Sequence, residues 1–217
     1  MKIENAEQLR ELYGFPSGRA KVKVLQKLDV HSKNFIEKSP FLIMATTSEA
    51  HKQDASPRGG TTGFVKIINS ETLVIPDSKG NNRLDSLTNI LETGVIGLIF
   101  LIPGVDETLR INGKAHISTN SEYLNLFDSE KNPPKTCIVV SIQELFLHCA
   151  KAFMRSKLWN EETEIKRSEV PTMGQMLNEQ LSIDAPVETQ KEMIERYHKD
   201  LYKSFFIFLF SMKSYFL

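Results

Sequence analysis

The run Pro76-Asp77-Ser78-Lys79-Gly80-Asn81-Asn82-Arg83 crowds several hydrogen-bond donors into eight positions. It lies between an apolar stretch and an amphipathic one, the setting of a strand-to-helix turn. A helix start carries partial positive charge and free N–H groups, so cations there are unfavourable unless an anion is bound. Ser78, Lys79, Asn82 and Arg83 together therefore describe a phosphate site. The alternative is that Lys79 and Arg83 are solvated surface charges.

A second stretch, Asp54-Ala55-Ser56-Pro57-Arg58-Gly59-Gly60-Thr61, combines glycines with a proline. Glycines permit close backbone approach, and Pro57 cannot donate to a ladder, which implies an edge or bulged strand. Arg58 could close a fork on the same phosphate as Arg83; otherwise it is an exposed arginine in a hairpin loop. In the third stretch, residues 108–117, Leu109, Ile111, Ala115 and Ile117 alternate with Arg110, Asn112, Lys114 and His116. The polar face is either plain solvent exposure or one wall of a ligand cleft. Asn112-Gly113 reads as a tight turn or as a bulge in one long strand. The fourth stretch, residues 148–159, concentrates cations with the single tryptophan. On a helix, Lys151 and Arg155 stand one turn apart, and Trp159 would continue their face. That is an exposed basic helix with an aromatic anchor, or a grip on an anion and a ring.

The elements that would hold these residues follow from periodicity. Residues 3–38 read as helical in three pieces: one with Ile3, Leu9, Leu12 and Tyr13, one with Val22, Val24, Leu25 and Leu28, and one capped by Asp29 with Phe35 and Ile36 inward. Strands are expected over 41–47, 64–68, 72–75, 95–102, 108–118 and 136–147. Helices are expected over 82–92, with Leu84, Leu87, Ile90 and Leu91 on one face, and over 121–127. Six or so strands with short connections predict a mainly β protein with flanking helices, an antiparallel barrel rather than a doubly wound sheet. Residues 160–167 read as a solvated excursion. A helical segment over 171–203 includes an amphipathic helix marked by Met193, Ile194, Tyr197 and Leu201. The whole, residues 1–217, is expected to be one domain with an apolar tail over 204–217. The phenylalanine-rich run at 205–210 is far short of the roughly 20 residues that span a bilayer. It packs on its own core or a partner, or it touches a membrane surface or forms an aggregation-prone end.

Composition narrows the function classes. Lys+Arg and Asp+Glu both number 27, so the formal net charge is zero. Proteins that grip nucleic acid through its backbone show a basic excess, so general nucleic-acid binding is not expected. Cys137 and Cys149 are too few for a disulfide scaffold, and the five histidines show no HExxH spacing, so no metal site is expected. The polar start, Met1-Lys2-Ile3-Glu4-Asn5, does not read as a signal or transit peptide, and the expectation is a cytoplasmic protein with free thiols.

Taken in order, the Ser-Pro-Arg-Gly strand, the Pro-Asp-Ser-Lys-Gly-Asn-Asn-Arg loop, Thr-Leu-Arg-Ile-Asn-Gly-Lys-Ala and Cys-Ala-Lys-Ala-Phe-Met-Arg-Ser-Lys-Leu-Trp resemble the pyridoxamine 5'-phosphate oxidase-like, FMN-binding split-barrel proteins. The likeness covers roughly residues 20–200 and is nearest to a subgroup of probable FMN-dependent enzymes of unassigned substrate. It implies a six-stranded antiparallel split β-barrel and a homodimer with FMN in clefts between subunits. It also implies that Arg58, Lys79, Asn82 and Arg83 hold the FMN phosphate. By the same resemblance Asp77 and Ser78 lie beside the ribityl chain or ring and Arg110 near the flavin. Lys151, Arg155 and Trp159 then come from the other subunit or the rim. Vitamin B6 oxidation is not implied: the late Trp-Gly motif of true oxidases is missing, since Asn160-Glu161-Glu162 follows Trp159.

The expected function is that of an FMN-dependent oxidoreductase acting on a small organic substrate at the dimer cleft. No side chain stands out as a catalytic acid, base or nucleophile, and hydride transfer at a flavin requires none. The rival readings are a non-catalytic flavin or haem binding protein and a plain interaction domain.

Overall fold

The computed structural model describes residues 2–78 and 80–201. The apolar tail at 204–217 and Lys79 lie outside the described residues. The chain forms two compact units, one of Met1–Leu126 with Pro134–Trp159, the other of Phe127–Pro133 with Asn160–Leu217.

The first unit is an antiparallel sheet with helices around it. Its seven strands are β1 (Phe41–Thr47), β2 (Gln53–Gly59), β3 (Lys66–Ile67), β4 (Thr72–Pro76), β5 (Val95–Ile102), β6 (Val105–Ser118) and β7 (Cys137–His148). They run in the order β2-β1-β5-β6-β7-β4-β3, and no pairing joins β2 to β3 among the described residues. The expected count of six becomes seven because the Ser-Pro-Arg-Gly stretch forms a full edge strand, while the segment expected over 64–68 pairs for only two residues.

Alternating side chains build the interior, as a pleated sheet with one buried face requires. Leu42 and Met44 of β1 oppose Phe100 and Leu98 of β5, and Leu109 and Ile111 of β6 extend the same face, all buried. Arg110, Asn112, Lys114 and His116 point the other way, as their alternation with buried neighbours requires. Asn112-Gly113 sits in one long strand opposite a bulge whose extra residue is Gln143 of β7, between the partners Glu144 and Ile142. The strands approach so closely there that a Cβ on Gly113 would overlap the Ser141 carbonyl oxygen. Pro103-Gly104 turns β5 into β6, with Gly104 at φ 82°, a left-handed angle that glycine adopts without penalty.

Helices α1 (Ala6–Tyr13), α2 (Arg19–Val22) and α3 (Val30–Lys38) precede the sheet. Asp29 caps α3 as expected: its side chain accepts from the Ser32 N–H at 2.8 Å, and Ile36 is fully buried. The helix expected through Val22, Val24, Leu25 and Leu28 stops at Val22. Leu25 instead exchanges backbone hydrogen bonds of 2.9 and 2.8 Å with Leu145 of β7, a pairing suited to a segment carrying β-branched valines.

Helix α4 (Asp85–Thr93) follows the loop after β4 and packs on β1 and β2. Its inward face differs from the expectation. Leu84 is the residue before the helix and Leu91 is 74% exposed, whereas Ser86, Asn89 and Ile90 are buried. Asn89 donates to Thr46 Oγ1 of β1 at 3.0 Å, so the inward polar side chains are bonded to the sheet. After β6 come α5 (Ser121–Leu124) and a short 3-10 turn (Asn125–Phe127), and after β7 comes α6 (Lys151–Ser156).

In the second unit, a 3-10 turn (Glu161–Thr163) lies in the exposed excursion. Helices α7 (Met173–Leu181) and α8 (Gln190–Leu201) follow. Thr172 caps α7. Arg196 of α8 grips Glu188 through two hydrogen bonds of 2.8 and 2.7 Å. Among the described residues, no helix is long and apolar enough to cross a membrane.

Candidate functional site

Edge strand β2 places Asp54, Ser56 and Arg58 opposite Thr46, Met44 and Leu42. These side chains are therefore on the inward side of the sheet, where α4 begins. Arg58 Nη1 donates to Ser56 Oγ at 2.6 Å and to the Pro57 carbonyl at 3.1 Å. Its Nη2 donates to Ser86 Oγ at 3.2 Å, and Ser86 Oγ donates to Asp54 Oδ2 at 2.5 Å. Arg58 Nε is buried and has no hydrogen-bond partner.

The loop between β4 and α4 supplies the second half. The Asp77 N–H donates to the Thr136 carbonyl at 3.0 Å, which continues the β4–β7 pairing by one step. Asn82 and Leu84 both have φ of 60°, an angle that costs a bulky residue such as leucine roughly 1 kcal/mol. Leu84 gives α4 no side-chain cap, so among the described residues the first-turn N–H groups have no capping side-chain acceptor. Arg83, 74% exposed, donates from Nε to Asp85 Oδ2 at 2.7 Å.

Electrostatics join the two halves. Burial pushes the Asp77 carboxyl above the ordinary aspartate range, and the positive charge of Arg58 partly opposes that. The Asp85 carboxylate, and more weakly that of Asp54, hold Arg83 in its charged form. Burial and the neighbouring Asp77 charge push the Cys137 thiol upward; the side chain is fully buried. Asp54 thus reaches Arg58 through Ser86 and Arg83 through space. Asp77 therefore feels the charge of Arg58, and Arg83 feels those of Asp85 and Asp54.

The remaining expected residues lie elsewhere. Ser78 and Asn82 are exposed on the loop, and Lys79 is outside the described residues. Arg110 occupies the sheet face opposite to Arg58, because its partners across the ladder are Ile99 and Phe146 while Leu109 turns inward. Its guanidinium lies over the Phe146 ring at 5.1 Å. Lys151 and Arg155 are exposed on α6. Trp159 does not continue their helical face: α6 ends at Ser156, and Lys157 turns left-handed at φ 50°. The indole instead stacks on Phe153 at 5.6 Å and donates to the Val105 carbonyl at 3.0 Å.

Ser56, Ser86, Asp85 and Thr136 belong to the cluster but do not stand out in the sequence. The period-two spacing of residues 54, 56 and 58 was the available signal for Ser56. Among the described residues no group of histidine, cysteine or carboxylate side chains is arranged to hold a metal ion.

Among solved structures, the chain is similar to HupZ of Group A Streptococcus, with 15% identity and a TM-score of 0.47 over 55% of this chain and 93% of that one. It is also similar to a Clostridium acetobutylicum protein of the pyridoxinephosphate oxidase family, with 11% identity and a TM-score of 0.43 over 55% and 86%. An FMN-binding protein from Syntrophomonas wolfei shows 14% identity and a TM-score of 0.41 over 66% and 96%. Likenesses this distant carry no argument about function. No curated protein matches. Residues 28–149, more than half of the chain, match the family described as "Pyridoxamine 5'-phosphate oxidase". That span includes β1 to β7, Arg58 and the whole loop into α4, and the chain belongs to the pyridoxamine 5'-phosphate oxidase family.

Proposed function

We propose that the chain binds FMN and serves as a flavin-dependent oxidoreductase for a small organic substrate. The observation that carries the reading is the Arg58 guanidinium beside the uncapped start of α4, its buried Nε unpartnered. A phosphate dianion would complete both, and helix starts with free amides favour such anions.

Arg58 and Arg83, with Lys79, Asn82 and the first amides of α4, would hold the phosphate. Asp77 and Ser78 would line the chain or ring beside it. Three charge-assisted hydrogen bonds contribute on the order of 5–9 kcal/mol before ordering costs, against about 8 kcal/mol for micromolar affinity. When bound, the flavin supplies the redox chemistry. The protein's part is to fix the phosphate, orient the ring and limit water around it.

Arg110, on the other face of the sheet, cannot serve the same ligand as Arg58 within one copy. This favours a homodimer, with split-barrel subunits placing Arg110, Lys151, Arg155 and Trp159 around a flavin anchored by the neighbouring copy. Phe41 and Ile43, each 37% exposed on the Arg110 side of the sheet, suit such a seam. An absorbance spectrum of the purified protein, followed by ligand extraction, tests the proposal. Flavin bands and FMN in the extract are expected; a colourless protein that takes up no added FMN would sink it.

A further inference from the structure

Residues 2–27 are all exposed, although they include a complete amphipathic helix. Helix α1 is closed at both ends: Asn5 Oδ1 accepts from the Gln8 N–H at 3.0 Å, and the Gly14 N–H donates to the Arg10 carbonyl at 2.7 Å. Helical spacing gathers Leu9, Leu12 and Tyr13 on one side and sets Glu7 and Glu11 on the other. Yet Leu12 and Tyr13 are 68% and 80% exposed, and Phe15 just beyond is 79% exposed. Among the described residues, the hydrogen bonds of residues 2–22 close within that segment. A helix of eight residues is marginal in water and owes its stability to packing of its apolar face. Within its own chain α1 has no such packing.

The root of this arm, by contrast, is fixed. The Leu28 N–H donates to the Ser70 carbonyl at 2.8 Å, and Leu25 is paired with Leu145. Lys23 Nζ donates to the Leu147 carbonyl at 3.0 Å and lies over the Phe146 ring at 4.8 Å. Phe146 is the cross-strand partner of Arg110. The arm therefore leaves the sheet on the Arg110 side, where Phe41 and Ile43 are also exposed.

Resting on the homodimer reading above, we propose that residues 2–22 are an exchanged arm: in each copy α1 lays Leu9, Leu12 and Tyr13 against the second copy of this chain. Size and continuity select that partner. A stable interface takes about 20–30 residues a side, and residues 2–22 supply a number of that order. The arm also starts at the sheet face of the seam, so its apolar side extends that seam. An anionic lipid surface suits the helix poorly: Glu4, Glu7 and Glu11 outnumber Lys2 and Arg10 there, whereas helices that lie on membranes are rich in Lys and Arg. A two-fold pair gives both arms the same surroundings and leaves neither apolar face in water.

Sedimentation over a concentration series tests this on three full-length proteins: wild type, Leu9→Asp/Leu12→Asp, and Glu7→Gln/Glu11→Gln as the control on the opposite face. The dimer dissociation constant should rise tenfold or more in Leu9→Asp/Leu12→Asp, as loss of two apolar anchors implies, and stay within about twofold of wild type in the control. Hydrogen exchange of wild type gives a second measure: α1 amides should be protected in the dimer and lose that protection on dilution to monomer. Unchanged dimer affinity in Leu9→Asp/Leu12→Asp, an equal loss in the control, or α1 protection that survives dilution would each overturn the assignment. So would wild-type binding to phosphatidylserine vesicles that Leu9→Asp/Leu12→Asp abolishes. If wild type dimerises and Leu9→Asp/Leu12→Asp matches it, only this inference fails. If wild type stays monomeric, the homodimer reading fails and this one with it.

Discussion

Arg58 of the edge strand donates to Ser86 of α4 at 3.2 Å, so the guanidinium is bonded to the second residue of a helix that begins 27 positions later in the chain. Ser86 donates its own hydroxyl hydrogen bond to Asp54, which leaves Arg58 flanked by neutral oxygens and its Nε unmatched. The arrangement steadies the cation without neutralising it directly.

Asp85 behaves differently, because it pairs directly with Arg83. The pair is exposed and contributes little to stability. A carboxylate at that place nevertheless opposes an incoming dianion. Asp85→Asn should tighten FMN binding by about two- to fivefold at low salt, with the gain fading at high salt. It should also cost a small fraction of stability through the lost charge at the helix start. Paired titrations at two ionic strengths measure this; weaker binding in the variant would assign Asp85 to the ligand instead.

How much of this was readable in the residues depends on the range of the interaction. The alternation in β1 and β6, the Asp29 cap and the polar loop that leads into α4 are local patterns, and each is visible in a dozen residues. Ser86 and Asn89 look like solvent-facing polar residues until Asp54 and Thr46 are known to lie opposite them. Leu25 reads as helical because its partner, Leu145, is far along the chain. Trp159 departs from the helical face because Lys157 turns left-handed, which spacing alone does not reveal.

The Asp77 carboxyl predicts a pH dependence. Burial raises its folded-state pKa above the unfolded value near 3.9. Between those two values the folded chain keeps a proton that the unfolded chain has released. Stability therefore falls as pH rises through that window, and the loss is complete above the folded pKa. Asp77→Asn should accordingly raise the melting temperature near neutral pH and give no gain below about pH 4. Calorimetry across that range decides it; a variant destabilised at neutral pH would mean that the charged carboxylate is held by favourable contacts.

Gly113 tests the bulge. Because a Cβ there meets the Ser141 carbonyl oxygen of the facing strand, Gly113→Ala should cost about 3 kcal/mol or more by forcing β6 and β7 apart. Denaturant unfolding should show a lower midpoint with little change in slope. A midpoint equal to that of wild type would mean the strands have room that the register denies.

The central claim is that Arg58 anchors a phosphorylated flavin at the start of α4. FMN titration of wild type and Arg58→Ala, with circular dichroism to verify that both are folded, tests it most directly. Micromolar or tighter binding by wild type and a loss of about 10- to 100-fold in the variant are expected, as one charge-assisted contact implies. Equal affinity in two folded proteins would contradict the account.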